Sequence, residues 1–182
     1  MDLQDFEGQD MYFDLPMPEE VEALINEAAE CYSTGGAEPK LLRAYVLAPR
    51  NLTLLVAMYR FYYYQHRWHD ALYIADQAML VSGEMLEMTT HWRLLTPNHL
   101  GTPAMRSMGL LRFYFLALKG AGYLCLRMED REGAVERLQK VVELDPQDRL
   151  GANMLLNMAI YGSEDGRPNL RLAYVNEERM AS

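Results

Sequence analysis

Basic residues are scarce in this 182-residue chain. It has 17 Lys and Arg against 26 Asp and Glu, a formal net charge of −9. Phosphate neutralisation supplies much of the affinity of a nucleic-acid-binding module, so this balance argues against DNA, RNA and anionic membrane surfaces as partners. No window reaches 18 uninterrupted apolar residues, so the sequence offers no membrane span. The two cysteines, Cys31 and Cys125, have no neighbours at metal-ligand spacing and are expected to be reduced, partly buried thiols. The opening MDLQDFEGQD lacks the basic-then-apolar order of a signal peptide, and the expectation is a cytoplasmic protein.

Catalytic signatures are missing as well. Ser82, Ser107 and Ser163 have no G-x-S-x-G context, and neither G-x-x-x-x-G-K-[ST] nor G-x-G-x-x-G occurs. A non-enzymatic chain without a cofactor is expected. Half of the residues are apolar, enough for the core of one domain.

What the chain does have is repetition. Ala37 and Ala71 lie 34 residues apart, as do Ala44 and Ala78. In the first copy, Val21, Leu24, Ile25 and Ala28 recur at helical spacing. Ser33-Thr34-Gly35-Gly36 breaks the helix, and Ala37, Leu41, Ala44 and Leu47 stripe the next one up to Pro49. In the second copy, Leu55, Met58, Tyr59 and Tyr62 take the positions of Val21, Leu24, Ile25 and Ala28. Ala71, Ala75 and Ala78 follow as small residues where two helices pack closely. Gly122, Ala134, Val141 and Pro146 form a third copy, displaced by an insertion over about 84–112. Within the insertion, residues 84–95 are expected to extend the preceding helix or form a short one. Thr102 and Pro103 suggest the cap and first position of a long helix running to about Met128. A last helix from Arg149 to Tyr161 would cover the open end with Leu150, Met154, Leu155 and Ile160. Residues 162–182 are turn-rich and mixed in charge, and an extended or disordered tail is expected.

These spacings resemble those of the tetratricopeptide repeat (TPR) family, over about Met17 to Arg149. The resemblance implies an all-α, TPR-like helical hairpin solenoid of about three repeats, with an insertion and a C-terminal capping helix, as a domain over 17–161. It also implies a protein or peptide held on the concave face built by the first helix of each repeat. One TPR subclass grips a terminal carboxylate with Lys and Asn. Asn26 fits one such asparagine, but Glu22 and Ala57 stand where a lysine and a second asparagine are wanted. More narrowly, YFDLPMPEEVEALINEAAECY and LLRAYVLAPRNLTLLVAMYRFYYYQHRWHDALYIADQAM resemble small TPR proteins of nitrogen-fixation gene clusters, of the nitrogenase-associated factor T type. That likeness implies an accessory, assembly or protective factor that binds a nitrogenase component, the molybdenum-iron protein. The alternative is a generic TPR adaptor.

Tyr59 and Phe61 to Tyr64 form the densest aromatic run. Consecutive helical side chains diverge by about 100°, so they cannot all face the core. Tyr63 and Tyr64, with Arg60, are expected to line the concave face, and tyrosine and arginine are frequent binding hot spots. The same register selects Glu19, Glu22 and Asn26 from the first copy and Lys119, Tyr123 and Arg127 from the third. The groove would then be acidic at one end and basic and aromatic at the other.

Residues 1–16 form an acidic arm. Asp2, Asp5, Glu7, Asp10 and Asp14 alternate with Leu3, Phe6, Tyr12, Phe13 and Leu15, without a basic residue. The arm is read as solvated tail, docking arm or occupant of the chain's own groove. His66 and His69, with His91 and His99, form the alternative metal- or cofactor-handling set, but nothing in their spacing requires a metal. In the simpler reading of the 66–70 turn, Trp68 covers a helix crossing and Asp70 caps the next helix. Glu132, Glu136 and Glu143 read as a solvated face near Arg137 and Lys140, and Met79, Met85, Met88, Met105 and Met108 mostly as core filler.

Overall fold

The computed structural model describes residues 16–32, 35–88 and 90–162. The acidic arm, up to residue 15, and the tail beyond Gly162 lie outside these residues. The described chain is all-helical: α1 (Glu19–Glu30), α2 (Ala37–Leu47), α3 (Leu52–Tyr64), α4 (Trp68–Met85), α5 (Gly101–Arg106), α6 (Met108–Arg127), α7 (Arg131–Leu144) and α8 (Asn153–Tyr161). Single 3-10 turns at Trp92–Leu94 and Pro97–His99 lie between α4 and α5.

Local chemistry sets the helix starts. Glu19, Glu20 and Glu22 crowd the first turn of α1, where the helix dipole favours negative charge. Asn51 opens α3 by accepting from Leu54 N at 2.9 Å. Asp130 opens α7 in the same way, accepting from Gly133 N at 3.0 Å.

The helices pack as successive pairs: α1 on α2, α3 on α4, α6 on α7. Cross-links fix their directions. Arg43 reaches Glu20 at 2.7 Å and Lys40 reaches Glu27 at 2.5 Å, so α2 runs antiparallel to α1. Trp68 meets Arg127 while Gly83 meets Tyr114, so α4 runs antiparallel to α6. The repeated small residues Ala37, Ala44, Ala71, Ala75, Ala78 and Ala134 are all buried. Gly122 shows why size matters there. A Cβ at this position would lie 2.8 Å from Leu138 Cγ, inside van der Waals contact.

Several expectations are corrected. Leu47 is 48% exposed, because the inward heptad runs Ala37, Leu41, Ala44, Ala48, and Ala48 takes the packed place. No long helix starts at Thr102. The short α5 ends at Ser107, whose extended backbone (φ −159°, ψ 105°) and hydroxyl, accepting from Leu110 N at 3.1 Å, start α6 afresh at Met108. The last helix begins at Asn153 rather than Arg149. The Asp148 carboxylate accepts from Ala152 N at 2.6 Å and Asn153 N at 3.1 Å, and this later start rotates the register. Leu150 and Ala159 are buried, while Met154 and Ile160 are exposed. Met79 is buried, but Met105 is 90% exposed and Met108 is also exposed, so these two are not core filler.

The insertion folds back on the helices. Leu86, Trp92 and Leu95 are buried, and Arg93 binds Glu136 of α7 through two hydrogen bonds, one of 2.9 Å. Among the described residues, α6 is long and apolar enough by composition to cross a membrane, yet 78% of its apolar window is buried between neighbouring helices. It is the central core helix, packed by α4 on one side and α7 on the other.

Candidate binding face

The last turn of α3 and the C-terminal half of α6 meet through tyrosines. Tyr63 Oη donates to Tyr123 Oη at 3.4 Å, and the ring centroids are 6.2 Å apart. Tyr63 also stacks on the buried Tyr59 at 6.2 Å, meets Tyr64 edge-on at 5.5 Å and packs against Trp68 at 5.3 Å. The Arg127 guanidinium lies 4.9 Å from the centroid of the Trp68 ring, a cation–π contact. Tyr64 is 58% exposed and Arg127 is exposed, whereas Tyr63, Trp68 and Tyr123 are half-buried. Partly buried aromatics rimmed by a guanidinium combine large contact area with a polar edge and low conformational entropy, as protein-binding hot spots do.

This arrangement brings Tyr63, Tyr64, Tyr123 and Arg127 together across two helices far apart in sequence. Arg60 is half-buried one turn before Tyr63 and Tyr64 on the same α3 face. Lys119 is a correction. It lies one turn before Tyr123, but it is only 5% exposed and its ammonium donates to the Leu150 carbonyl at 2.7 Å. The turn after α7 covers it, so Lys119 ties that turn to α6 instead of presenting a surface charge. Asn26 is exposed on α1, outside the aromatic cluster. Sequence reasoning gave Trp68 a covering role only. Its place at the start of α4, directly after the α3 turn, makes it the floor between Tyr63 and Arg127.

The turn beneath the cluster also departs from expectation. His66 adopts φ +58° and packs on Trp68 at 5.0 Å. Asp70 does not cap α4. It pairs with Arg67 at 2.7 Å, and Arg67 also reaches Glu38 of α2 at 2.6 Å. His91 Nδ1 accepts from Arg93 N at 3.3 Å, and His99 Nδ1 accepts from Thr96 N at 3.0 Å. His66 and His69 thus lie about the α3–α4 turn, whereas His91 and His99 belong to the two 3-10 turns of the insertion. Among the described residues, no three His, Cys, Asp or Glu side chains gather into a metal-holding group.

A second concavity, about 490 Å³, lies between α4, α7 and the insertion. The Trp92 ring forms part of it, between Arg93 at 4.4 Å and Arg137 at 5.2 Å. Its charges are matched from within, Arg137 to Asp76 at 3.3 Å and Arg93 to Glu136. Arg93 holds the Glu136 carboxyl below its ordinary range through hydrogen bonding. Glu136 is thus a strut for the insertion as well as part of a solvated face.

No protein-family model matches the chain. Among curated proteins, it is 51% identical over 158 residues to an "uncharacterized 19.8 kDa protein in nifW 5′region" of Azotobacter chroococcum mcd 1. The match covers 87% of this chain and 88% of that protein. The chain belongs to the family of this nifW-region protein. In this nifW-region family member, the α3–α6 face brings the exposed Tyr64 and Arg127 next to the half-buried Arg60, Tyr63 and Tyr123. Neither α3 nor α6 contains an acidic residue, while they carry Arg60, Arg112 and Arg127 besides the buried Lys119. By contrast, α1 carries Glu19, Glu20, Glu22, Glu27 and Glu30 and no basic residue.

Proposed function

We propose that this protein is a non-enzymatic, TPR-like binding module of the cytoplasm, an accessory factor that docks on a nitrogenase component, the molybdenum-iron protein. The helix pairs with small residues at their crossings support the TPR reading, in which α1, α3 and α6 are the first helices of three repeats. The 51% identity to a protein from a nifW 5′ region carries the nitrogen-fixation part of the proposal. The Tyr63–Trp68–Tyr123–Arg127 cluster supplies the docking surface, with Arg60 and Tyr64 at its edge.

The surface suits a partner segment with acidic and apolar side chains. Carboxylates would meet Arg60 and Arg127, and an apolar anchor would enter between the rings. A protein that assembles, protects or adjusts nitrogenase needs such a face and no catalytic group of its own.

The test is affinity capture with the tagged chain from nitrogen-fixing cells and from cells grown on fixed nitrogen. Molybdenum-iron protein subunits are expected in the eluate from fixing cells. They should be lost when Arg60, Tyr63 and Arg127 are replaced together by alanine in a chain of unchanged melting temperature. Absence of nitrogenase from both eluates rejects the proposal, and recovery of another protein in its place supports the generic adaptor.

A further inference from the structure

The concavity between α4, α7 and the insertion is walled by buried donors that nothing among the described residues accepts. We infer that it is a ligand site for a small, neutral, fused-ring heteroaromatic molecule with a hydrogen-bond acceptor on its edge, and that the Tyr114 hydroxyl donates to that acceptor. The inference goes beyond docking on a protein partner, and the site shares no residue with the α3–α6 face.

Tyr114 projects from α6 toward the last turn of α4, where Gly83 makes room for it. A Cβ at Gly83 would lie 3.2 Å from Tyr114 Cε2. The Tyr114 ring is a wall of the concavity and is only 5% exposed. Its hydroxyl meets no hydrogen-bond partner among the described residues, and burial alone pushes it up to about 12. A buried hydroxyl left unpaired destabilises a fold, and phenylalanine would fill the same space without that cost. Arg137 of α7 holds a second spare donor. Its Nε is buried without a partner, and its Nη2 meets both Asp76 oxygens at 3.3 Å, long for a charge-assisted bond. The buried groups here thus call for an acceptor.

The rest of the lining selects a neutral ring. Met79 is buried and Met88 partly so, and thioethers favour aromatic neighbours. Trp92 supplies a second aromatic wall. The volume, about 490 Å³, lies in the range of pockets that enclose small organic molecules. The carboxylates of Asp76 and Glu84 are already held by Arg137 and Arg50, and Arg93 is held by Glu136. These pairs leave no charge over for an ion.

The site also gives the insertion a purpose. Thr90, His91 and Trp92 bring its first part to the edge of α4, and the Arg93–Glu136 pair anchors it on α7. A ring seated on Tyr114 would touch the insertion and the helices at once. Binding would therefore hold the insertion in place and raise the melting temperature by mass action.

Titration of the isotope-labelled full-length chain with quinoline and with naphthalene tests this, read by NMR at the indole N–H signals of Trp92 and Trp68. The two probes share one shape, and only quinoline carries an acceptor. Quinoline is expected to shift the Trp92 signal saturably and to leave that of Trp68 in place. Tyr114→Phe should weaken quinoline roughly three- to tenfold, the worth of one hydrogen bond, and leave the affinity for naphthalene unchanged or higher. That variant should melt at the wild-type temperature or above it, because the lost hydroxyl has no internal partner. Leu80→Asp, at an exposed place in the lining, should weaken both probes. No shift of Trp92 with quinoline overturns the inference. So does an equal loss of both probes in Tyr114→Phe, or a melting temperature of that variant below the wild type's, which would give the hydroxyl a structural role instead.

Discussion

The first and third helix pairs follow one spacing pattern and use it in opposite ways. The α1/α2 pair sits at the end of the stack, and α1 buries only Val21, Leu24 and Ala28. The α6/α7 pair is the centre: α6 buries fourteen residues, Leu110 through Cys125 with few gaps. Ile25 in α1 and Gly122 in α6 are equivalent positions, yet Gly122 allows Leu138 to approach so closely that no Cβ would fit. The charges are opposed too, with five glutamates and no base on α1 against three cations and no acid on α6. The difference teaches that repeat spacing fixes the helix crossings, whereas the surface charge is set separately on each helix. A search for function by repeat position alone would have weighted Asn26 and Tyr123 equally.

Substitutions can sharpen this contrast. Leu138→Ala, at a fully buried position, is expected to cost about 3–5 kcal/mol, read by urea denaturation. Leu24→Ala, in the peripheral pair and slightly exposed, should cost about 2–3 kcal/mol. Equal losses would mean that the end pair is as central as α6/α7. Next in size, Gly122→Ala should destabilise by about 1–3 kcal/mol through overpacking against Leu138. Ile25→Ala at the equivalent, half-buried position should cost less than that.

Alkaline pH should also act on the central pair first. Burial pushes the Cys125 thiol up from 9.0 to about 11 and the Tyr114 hydroxyl up from 10.0 to about 12. Both groups are neutral when protonated, so the folded state holds their protons more tightly than the unfolded chain. Their contribution to stability is complete below pH 9 and fades between about 9 and 12. The melting temperature should fall across that window, and Cys125→Val should shallow the fall between pH 9 and 11. An unchanged slope would show that Cys125 is not the titrating group.

Much of the fold could be read from the sequence because the small residues at the crossings have few alternatives. Ala37, Ala44, Ala71, Ala78, Gly122 and Ala134 all proved buried. That Tyr63, Tyr64, Tyr123 and Arg127 lie near one another was also legible, because the repeat register puts the ends of α3 and α6 level. Periodicity gives the direction of a side chain and says nothing of what covers it. Lys119 pointed the expected way and was sealed by the carbonyl of Leu150, 31 residues later. Trp92 had no periodic signal, because it packs from a single 3-10 turn in the insertion. The break at Ser107 was masked by the stronger Thr-Pro signal just before it.

The smallest stability effects belong to the surface, where the central claim lies. Asn26→Ala should change stability by no more than about 0.5 kcal/mol, and Arg127→Ala, which loses its contact with Trp68, by no more than about 1 kcal/mol, since both side chains are exposed. Only the second should change binding. The most direct measurement titrates purified molybdenum-iron protein against the wild-type chain, the Asn26→Ala chain and the Arg60→Ala/Tyr63→Ala/Arg127→Ala chain. A saturable interaction is expected for the first two, weakened about a hundredfold or more in the third, as loss of several hot-spot residues implies. No interaction with the wild-type chain, or equal affinity for all three, would contradict docking through the α3–α6 face.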